Sequence, residues 1–176
     1  VLITGCGAIG MFAAADAHAL GIKNVYITEA NLDRVEMAKN SGFVKEAFNA
    51  KDEQLDEKLS AVAPNGFDAV IECSGNKTAS TTGMNNLKKG GEMVLIAYGE
   101  APEINVFNFV NSELHLSGSL FFKTTEFEEV IELMHEGKLN LEPYSKLIEM
   151  EEVQSSLEKL EKGIESPIKY VIKMND

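Results

Sequence analysis

The 176-residue chain is 44% apolar and 25% charged, which suits one globular domain, or one domain and an appendage, with a sizeable core. Its net charge of −12 disfavours binding to nucleic acid or to an anionic membrane, and no apolar stretch approaches the roughly 18 residues that span a bilayer. Cys6 and Cys73 are too few for a zinc cluster or a disulfide framework, so we expect two free thiols in a reduced cytoplasm.

Predicted strands and helices alternate along most of the chain. Apolar runs predict strands at 1–4, 24–28, 44–48, 67–73, 93–98 and 114–120. Helices are predicted at 8–20, 31–40, 52–63 and 78–87. The last of these is expected to end at Lys88-Lys89-Gly90-Gly91, and a loop through Pro102 and Phe107 leads to the sixth strand. This alternation predicts an α/β fold with a doubly wound, six-stranded parallel sheet (a Rossmann fold) and helices on both faces.

The residues after the sixth strand are expected to form a helix–strand return segment. A helix over 126–136 carries Phe127, Val130, Ile131 and Met134 at helical spacing and is predicted to pack on the sheet. A strand at 146–150, a helix at 151–162 and a strand at 168–173 follow. We predict a sheet domain over 1–138 and a segment over 139–176 that packs with a part of the protein outside this chain.

The first residue of the chain also supports a prediction about the protein from which the chain comes. Residue 1 is Val and already lies in a predicted strand. We therefore expect no signal peptide, and we expect the chain to be a piece of a longer protein.

The first strand runs into the pattern Gly-x-Gly-x-x-Gly at residues 5–10, which opens a helix. Gly5 lets the chain leave the strand in a tight turn, Gly7 lets a pyrophosphate approach the backbone, and Gly10 lets the helix pack closely on the strand. The amides around Ala8 and Ile9 would then point at the pyrophosphate from the positive end of the helix. In this context the pattern predicts a dinucleotide-binding loop.

An acidic residue, Glu29, ends the second strand about twenty residues after the glycine pattern. A carboxylate there accepts hydrogen bonds from the adenosine ribose hydroxyls and repels a 2′-phosphate. At roughly 1.5–3 kcal/mol for each hydrogen bond to a charged group, this is sufficient for more than a hundredfold preference for NAD over NADP. Ala30 and Asn31 follow, so no adjacent cation would attract that phosphate. NAD is the predicted cofactor; the alternative is a glycine-rich turn beside a solvated acid.

The order of these pieces resembles the medium-chain dehydrogenase/reductase superfamily, in particular its zinc-dependent alcohol, polyol, threonine and butanediol dehydrogenases. The resemblance is carried by residues 5–10, 19–21, Glu29 with Arg34, 38–42, Val70-Ile71-Glu72-Cys73-Ser74-Gly75, 90–96, 137–140 and 167–172. It covers the whole chain and implies the cofactor domain and C-terminal return segment of such an enzyme.

The resemblance also implies roles for further residues in binding NAD. Arg34 matches a cation beside the adenosine, and Lys169 matches one placed against the pyrophosphate; surface charges are the alternative interpretation of both. Ser74 and Gly75 match a loop along the cofactor ribose. Backbone groups that would contact the nicotinamide belong to Ile96, Ala97 and Tyr98 and to the segment from Ser119 to Phe121.

For the parent enzyme, the resemblance implies zinc-assisted hydride transfer between NAD and a secondary alcohol or polyol. The zinc ligands and proton relay of the family lie upstream of the cofactor domain, so no catalytic or metal-binding residue is assigned here and the chain alone is expected to be inactive. His18, His115 and His135 are expected to be ordinary histidines. The apolar run at 114–122 favours a homo-oligomer, either a dimer or a tetramer.

Other classes of protein share parts of this pattern. A zinc-independent quinone or enoyl reductase of the same superfamily usually favours NADP, against which Glu29 argues. A nucleotide-sensing module, such as a regulatory domain of an ion channel, typically lacks the Gly90-Gly91 strand and the return segment. A methyltransferase loop usually has glycine where this chain has Ile9. Finally, no tyrosine is followed four residues later by the lysine that short-chain dehydrogenases need.

Overall fold

The structure, a computed structural model, describes residues 1–100, 102–162, 164 and 167–174. The strands of the main sheet are β1 (Leu2–Thr4), β2 (Tyr26–Glu29), β3 (Glu46–Asn49), β4 (Phe67–Glu72), β5 (Leu87–Leu95) and β6 (His115–Gly118). The helices up to residue 135 are α1 (Ala8–Ala19), α2 (Leu32–Asn40), α3 (Leu55–Val62), α4 (Lys77–Asn85), α5 (Val106–Asn111) and α6 (Thr124–His135). Across this described part of the chain, no helix is both long enough and apolar enough to cross a membrane.

The six strands are parallel and lie in the order β3-β2-β1-β4-β5-β6. The chain moves outward from β1 through β2 to β3, then returns to the other side of β1 for β4, so the order reverses between β1 and β4. In sheets of this kind the ligand binds outside the carboxyl ends of the strands at that reversal. The predicted doubly wound, six-stranded parallel sheet is confirmed.

The return segment forms a second, smaller unit of secondary structure. It contains β7 (Ser145–Ile148), α7 (Val153–Glu161) and β8 (Lys169–Ile172), and β7 pairs with β8 in parallel. Of the predicted segment 139–176, residues 163, 165, 166, 175 and 176 lie outside the described residues. The division of the chain at residue 138 stays a prediction.

Both faces of the central strands are covered by helices, which explains their nearly continuous apolar sequence. Neighbouring residues of β1 belong to different apolar clusters: Leu2 packs with Val70 and Met93, whereas Ile3 packs with Met11. None of these five side chains is exposed. The two clusters fix the central strands, and with them the loops at the carboxyl ends.

One predicted helix end is wrong. α4 ends at Asn85, and residues 88–91 belong to β5 instead of capping the helix. The register against β4 shifts between the pairs Phe67–Leu87 and Ala69–Glu92. The extra residues form an irregularity in which Gly90 has a φ of +71° and donates its N–H to the Ser112 carbonyl (2.8 Å). Two lysines followed by two glycines suit a helix end or a β-bulge equally, and strand pairing decides between them.

A short helix, α5, occupies the segment that the sequence predicted to be a loop. The Asn105 side chain caps it by accepting a hydrogen bond from the Asn108 N–H (3.1 Å). Phe109 packs against the core, whereas Val106 and Phe107 remain exposed. The helix is therefore held by one cap and one aromatic contact.

The predicted packing of α6 on the sheet is wrong for most of its apolar residues. Phe127, Ile131 and Met134 are exposed, and Phe127 stacks on Phe122 with ring centroids 5.6 Å apart. Only a narrow stripe of the helix, including Val130, lines a cleft beside the end of α1. Helical periodicity predicts an apolar stripe but does not say what covers it.

Replacing Val70 by Ala is expected to lower the free energy of unfolding by about 2 kcal/mol, because Val70 is fully buried and the substitution leaves a cavity. The matched control is Val106→Ala, in which the side chain is 69% exposed and the expected change is below about 0.5 kcal/mol. Urea unfolding followed by circular dichroism measures both. Equal effects of the two substitutions would contradict the central position of β4.

Candidate functional site

A cleft of about 510 Å³ lies at the carboxyl ends of the strands, beside the point where the strand order reverses. Its lining comes from four strand ends and three helices. Gly7 follows β1, Glu29 ends β2, Lys51 follows β3, Ser74 follows β4, and Arg34 lies on the first turn of α2. Residues far apart in sequence therefore meet at one edge of the sheet.

Two glycines of the loop after β1 are required by close backbone contacts. Gly5 has a φ of +91°, and a Cβ on it would lie 3.0 Å from Ser74. A Cβ on Gly10 would lie 1.9 Å from the Gly5 carbonyl oxygen. By contrast, a Cβ on Gly7 would meet no atom within 4 Å, and its φ of −77° suits any residue. The loop therefore leaves an open space above Gly7.

The amino end of α1 borders this loop. The Met11 N–H donates to the Gly7 carbonyl (3.0 Å), closing the first turn of the helix. The amides of Ala8, Ile9 and Gly10 precede Met11 in the first turn of α1. The N–H groups of a first turn have no carbonyl within the helix to which they can donate. Such amides, with the helix dipole, form a site for an anion.

The Glu29 carboxylate is fixed across the loop by two backbone amides. Its Oε2 accepts the Cys6 N–H at 2.7 Å, and its Oε1 accepts the Asn31 N–H at 2.8 Å. A carboxylate oxygen can accept more than one hydrogen bond, so each oxygen of Glu29 has capacity for a further donor. Glu29 therefore combines a fixed orientation with spare acceptor capacity towards the cleft.

Two cations share the cleft with Glu29. The Arg34 Nε is buried and has no hydrogen-bond partner within the described ranges. Lys51 lies two residues beyond Asn49, the register partner of Glu29 in β3. Neither cation forms an ion pair with any residue that the structure describes. Sequence reasoning missed Lys51, because it considered only the residues next to Glu29 and not the neighbouring strand.

The other predicted site residues lie outside the lining of this cleft. Ile96, Ala97 and Tyr98 follow β5, and the Tyr98 side chain is exposed. Beyond β6, the Ser119 N–H donates to the Leu95 carbonyl (3.0 Å), and Phe121 has a φ of +60°. These segments follow the strands on the far side of β4, so the structure groups them with one another and apart from Glu29.

Two further predicted residues have indirect connections to the cleft. Gly75 follows Ser74, and a Cβ on it would lie 2.6 Å from the Tyr98 carbonyl oxygen, so it joins the two halves of the site. Lys169 begins β8 and is exposed; the preceding residue, Ile168, packs in the same core cluster as Cys6. That contact places the start of β8 on the glycine-loop side of the sheet.

Both cysteines are free thiols, and they lie just beyond the carboxyl ends of the neighbouring strands β1 and β4. Burial, together with a nearby carboxylate (Glu29 for Cys6 and Glu72 for Cys73), raises the pKa of each thiol to about 12. Among the described residues, no group of three or more histidine, cysteine, aspartate or glutamate side chains is arranged to hold a metal ion.

Comparison with known proteins identifies the family. Residues 8–136 match the sequence profile described as zinc-binding dehydrogenase, and the chain belongs to this family. An (R,R)-butanediol dehydrogenase of Neisseria gonorrhoeae is 29% identical over 99% of this chain and 50% of its own length. An L-threonine 3-dehydrogenase of Aliivibrio fischeri is 40% identical over 54% of this chain and 28% of its own length.

Solved structures show the same fold. A benzyl alcohol dehydrogenase from Acinetobacter calcoaceticus matches with a TM-score of 0.88 and 19% identity, over 99% of this chain and 49% of that one. A 2R,3R-butanediol dehydrogenase from Bacillus subtilis matches with a TM-score of 0.86 and 21% identity, over 99% of this chain and 50% of that one. The chain thus spans between about a quarter and half of the length of these relatives.

The two thiols are expected to resist alkylation at pH 8, because a pKa of about 12 in place of an ordinary value near 9 lowers the thiolate fraction about a thousandfold. The rate of iodoacetamide labelling, followed by mass spectrometry, should be at least about a hundredfold lower in the folded chain than in the same chain unfolded in about 8 M urea, because only the thiolate reacts. The folded-state rate should rise with pH up to about 12. Rapid labelling at pH 8 would show that one thiol is ionised.

Proposed function

We propose that this chain is the NAD-binding part of a dehydrogenase that transfers a hydride between NAD and a secondary alcohol or polyol. The observation that carries the proposal is the cleft at the strand reversal, where an open glycine loop, a fixed carboxylate and an unpartnered guanidinium nitrogen meet. The chain's family supports the class of reaction. The named substrates of its relatives, butanediol and threonine, support a small molecule that carries a hydroxyl group.

The adenosine half of NAD fits the part of the cleft around Glu29. Each carboxylate oxygen already accepts one backbone N–H and would accept one ribose hydroxyl, which fixes the ribose without moving the side chain. The buried Nε of Arg34 would donate to an acceptor of the adenosine half, satisfying a group that otherwise lacks a partner.

The pyrophosphate fits the open space above Gly7. The amides of Ala8, Ile9 and Gly10 at the start of α1 would donate to its oxygens, and the close packing of Gly10 on Gly5 brings that helix end to the loop. Lys169 would add a cation on the same side.

The nicotinamide half is assigned to the loops after β4, β5 and β6. Ser74 and Gly75 would border its ribose, and the backbone of Ile96 to Tyr98 and of Ser119 to Phe121 would hold the ring in line for the substrate. Bound NAD supplies C4 of the nicotinamide as the hydride acceptor or donor. In the parent protein, a zinc ion held outside this chain would polarise the alcohol oxygen. This chain supplies binding and orientation.

The oligomeric state and the cellular location of the parent enzyme are also proposed, on the basis of its family. β6 is the edge strand of the sheet, and Leu116 on β6 and Leu120 just beyond it are exposed. Pairing of that edge with a second copy would cover these residues and the unpaired backbone groups of the edge. We propose a homo-oligomer, a dimer or a tetramer, in the cytoplasm.

Titration calorimetry of the chain with NAD and NADP tests the cofactor. We expect saturable NAD binding with a Kd of about 10 μM to 1 mM, because part of the ligand surface stays uncovered. We expect NADP binding to be at least about tenfold weaker. Glu29→Ala should weaken NAD binding by about a hundredfold or more, because two hydrogen bonds to a charged group are lost, and should strengthen NADP binding, since Arg34 and Lys51 remain in the cleft. Tighter NADP binding by the unsubstituted chain would contradict the assignment of Glu29 and favour a zinc-independent reductase.

A pair of glycine substitutions separates the two roles in the loop. Gly7→Ala should leave the free energy of unfolding within about 0.5 kcal/mol and weaken NAD binding about tenfold, because its Cβ enters only the space meant for the pyrophosphate. The control, Gly10→Ala, should lower the free energy of unfolding by about 2 kcal/mol, because its Cβ collides with the Gly5 carbonyl. Thermal unfolding and calorimetry measure both. Unchanged NAD binding in Gly7→Ala would contradict the pyrophosphate site.

A further inference from the structure

Glu72, at the carboxyl end of β4, is a charged residue that is only 2% exposed. A buried carboxylate is costly unless donors surround it, and here four donors converge on one oxygen. Its Oε1 accepts the N–H groups of Ser74 (2.8 Å) and Gly75 (3.0 Å), the Ser74 hydroxyl, and the Thr4 hydroxyl at 3.4 Å. One side chain therefore connects the ends of β1 and β4 to the loop beyond them.

The main chain of the same residue holds a second loop. The Glu72 carbonyl accepts the N–H of Ile96 (3.0 Å) and that of Ala97 (3.2 Å), which are the first two residues after β5. Residue 72 thus anchors two segments, Ser74–Gly75 and Ile96–Ala97. The proposed function assigns both segments to the nicotinamide half of NAD.

The two anchored segments also touch each other. Gly75 has a φ of +64°, and its carbonyl accepts the Glu100 N–H at 3.1 Å. A Cβ on Gly99 would lie 1.9 Å from the Gly75 carbonyl oxygen, so the two backbones are in direct contact. A shift of the Ser74–Gly75 loop would therefore move the turn after β5 as well.

We propose that Glu72 is a positioning residue of the cofactor site, whose carboxylate fixes the loops that receive the nicotinamide half of NAD. This inference rests on the proposed function. It distinguishes Glu72 from an ordinary buried acid, because three of the four donors that its side chain accepts come from the loop at the site, and only the Thr4 hydroxyl comes from the sheet. The Glu29 side of the cleft has its own anchors, the Cys6 and Asn31 amides, and should not depend on Glu72.

Three variants of the chain test the proposal: Glu72→Leu, which removes both side-chain oxygens, Glu72→Gln, which keeps one side-chain oxygen, and Val70→Ala, a destabilising control on the same strand. Each is titrated with NAD and with AMP, which carries only the adenosine and one phosphate. Glu72→Leu should weaken NAD binding about tenfold and AMP binding less than about threefold. Glu72→Gln should retain most NAD affinity, and Val70→Ala should retain both affinities.

Amide hydrogen exchange provides a readout that needs no ligand. Exchange at Ser74 and Gly75 should rise in Glu72→Leu well beyond the rise in Val70→Ala. Equal losses of NAD and AMP binding, no loss of either, or exchange at these amides no faster than in the control would overturn the proposal. If Glu72→Leu fails to fold, amide exchange in Glu72→Gln decides instead: its uncharged oxygen accepts weaker hydrogen bonds, so exchange at Ser74 and Gly75 should exceed that in Val70→Ala, and exchange no faster than in this control would overturn the proposal. Failure of the unsubstituted chain to bind NAD would instead contradict the proposed function.

Discussion

The contact between the start of α1 and the end of β1 is the constraint on which the rest of the site depends. The backbone of Gly10 lies so close to the Gly5 carbonyl that a Cβ on Gly10 would be only 1.9 Å from the carbonyl oxygen. This approach directs the first amides of the helix towards the open space above Gly7. It also leaves Gly5 against Ser74, so that the loop after β1 and the loop after β4 meet. An anion site and a junction between two strand ends thus follow from one backbone contact.

Two carboxylates, those of Glu29 and Glu72, accept hydrogen bonds from these loops, and their roles differ. Glu29 is anchored by amides and keeps acceptor capacity for a ligand, whereas Glu72 is nearly buried and uses one oxygen for four donors of the protein itself. The first suits recognition of hydroxyl groups, and the second suits internal support. Burial separates the two roles, because Glu29 is only partly buried and lines the cleft, whereas Glu72 is enclosed by the protein.

The sequence predicts those features whose residues are close together along the chain. The glycine loop, Glu29 and the alternation of strands and helices are all local patterns, and the fold that they predict is confirmed. Lys51 and the support by Glu72 depend on which strands are neighbours, and no local pattern shows that Asn49 lies opposite Glu29 or that Thr4 lies beside Glu72. The same limit explains the error at residues 88–91, where pairing with β4 overrides a sequence that suits a helix end.

The distribution of ion pairs explains how a chain with a net charge of −12 can accept an anion. Most lysines elsewhere on the described surface pair with acids, for example Lys39 with Glu36 and Lys138 with Glu136. Such exposed pairs contribute little to stability, but they occupy the cations that they contain. Within the described ranges, Arg34 and Lys51 have no such partner and both line the cleft. Because the Debye length is about 8 Å at physiological ionic strength, acids elsewhere on the surface are screened, and the charges within the cleft, those of Arg34, Lys51 and Glu29, act on a bound ligand at short range.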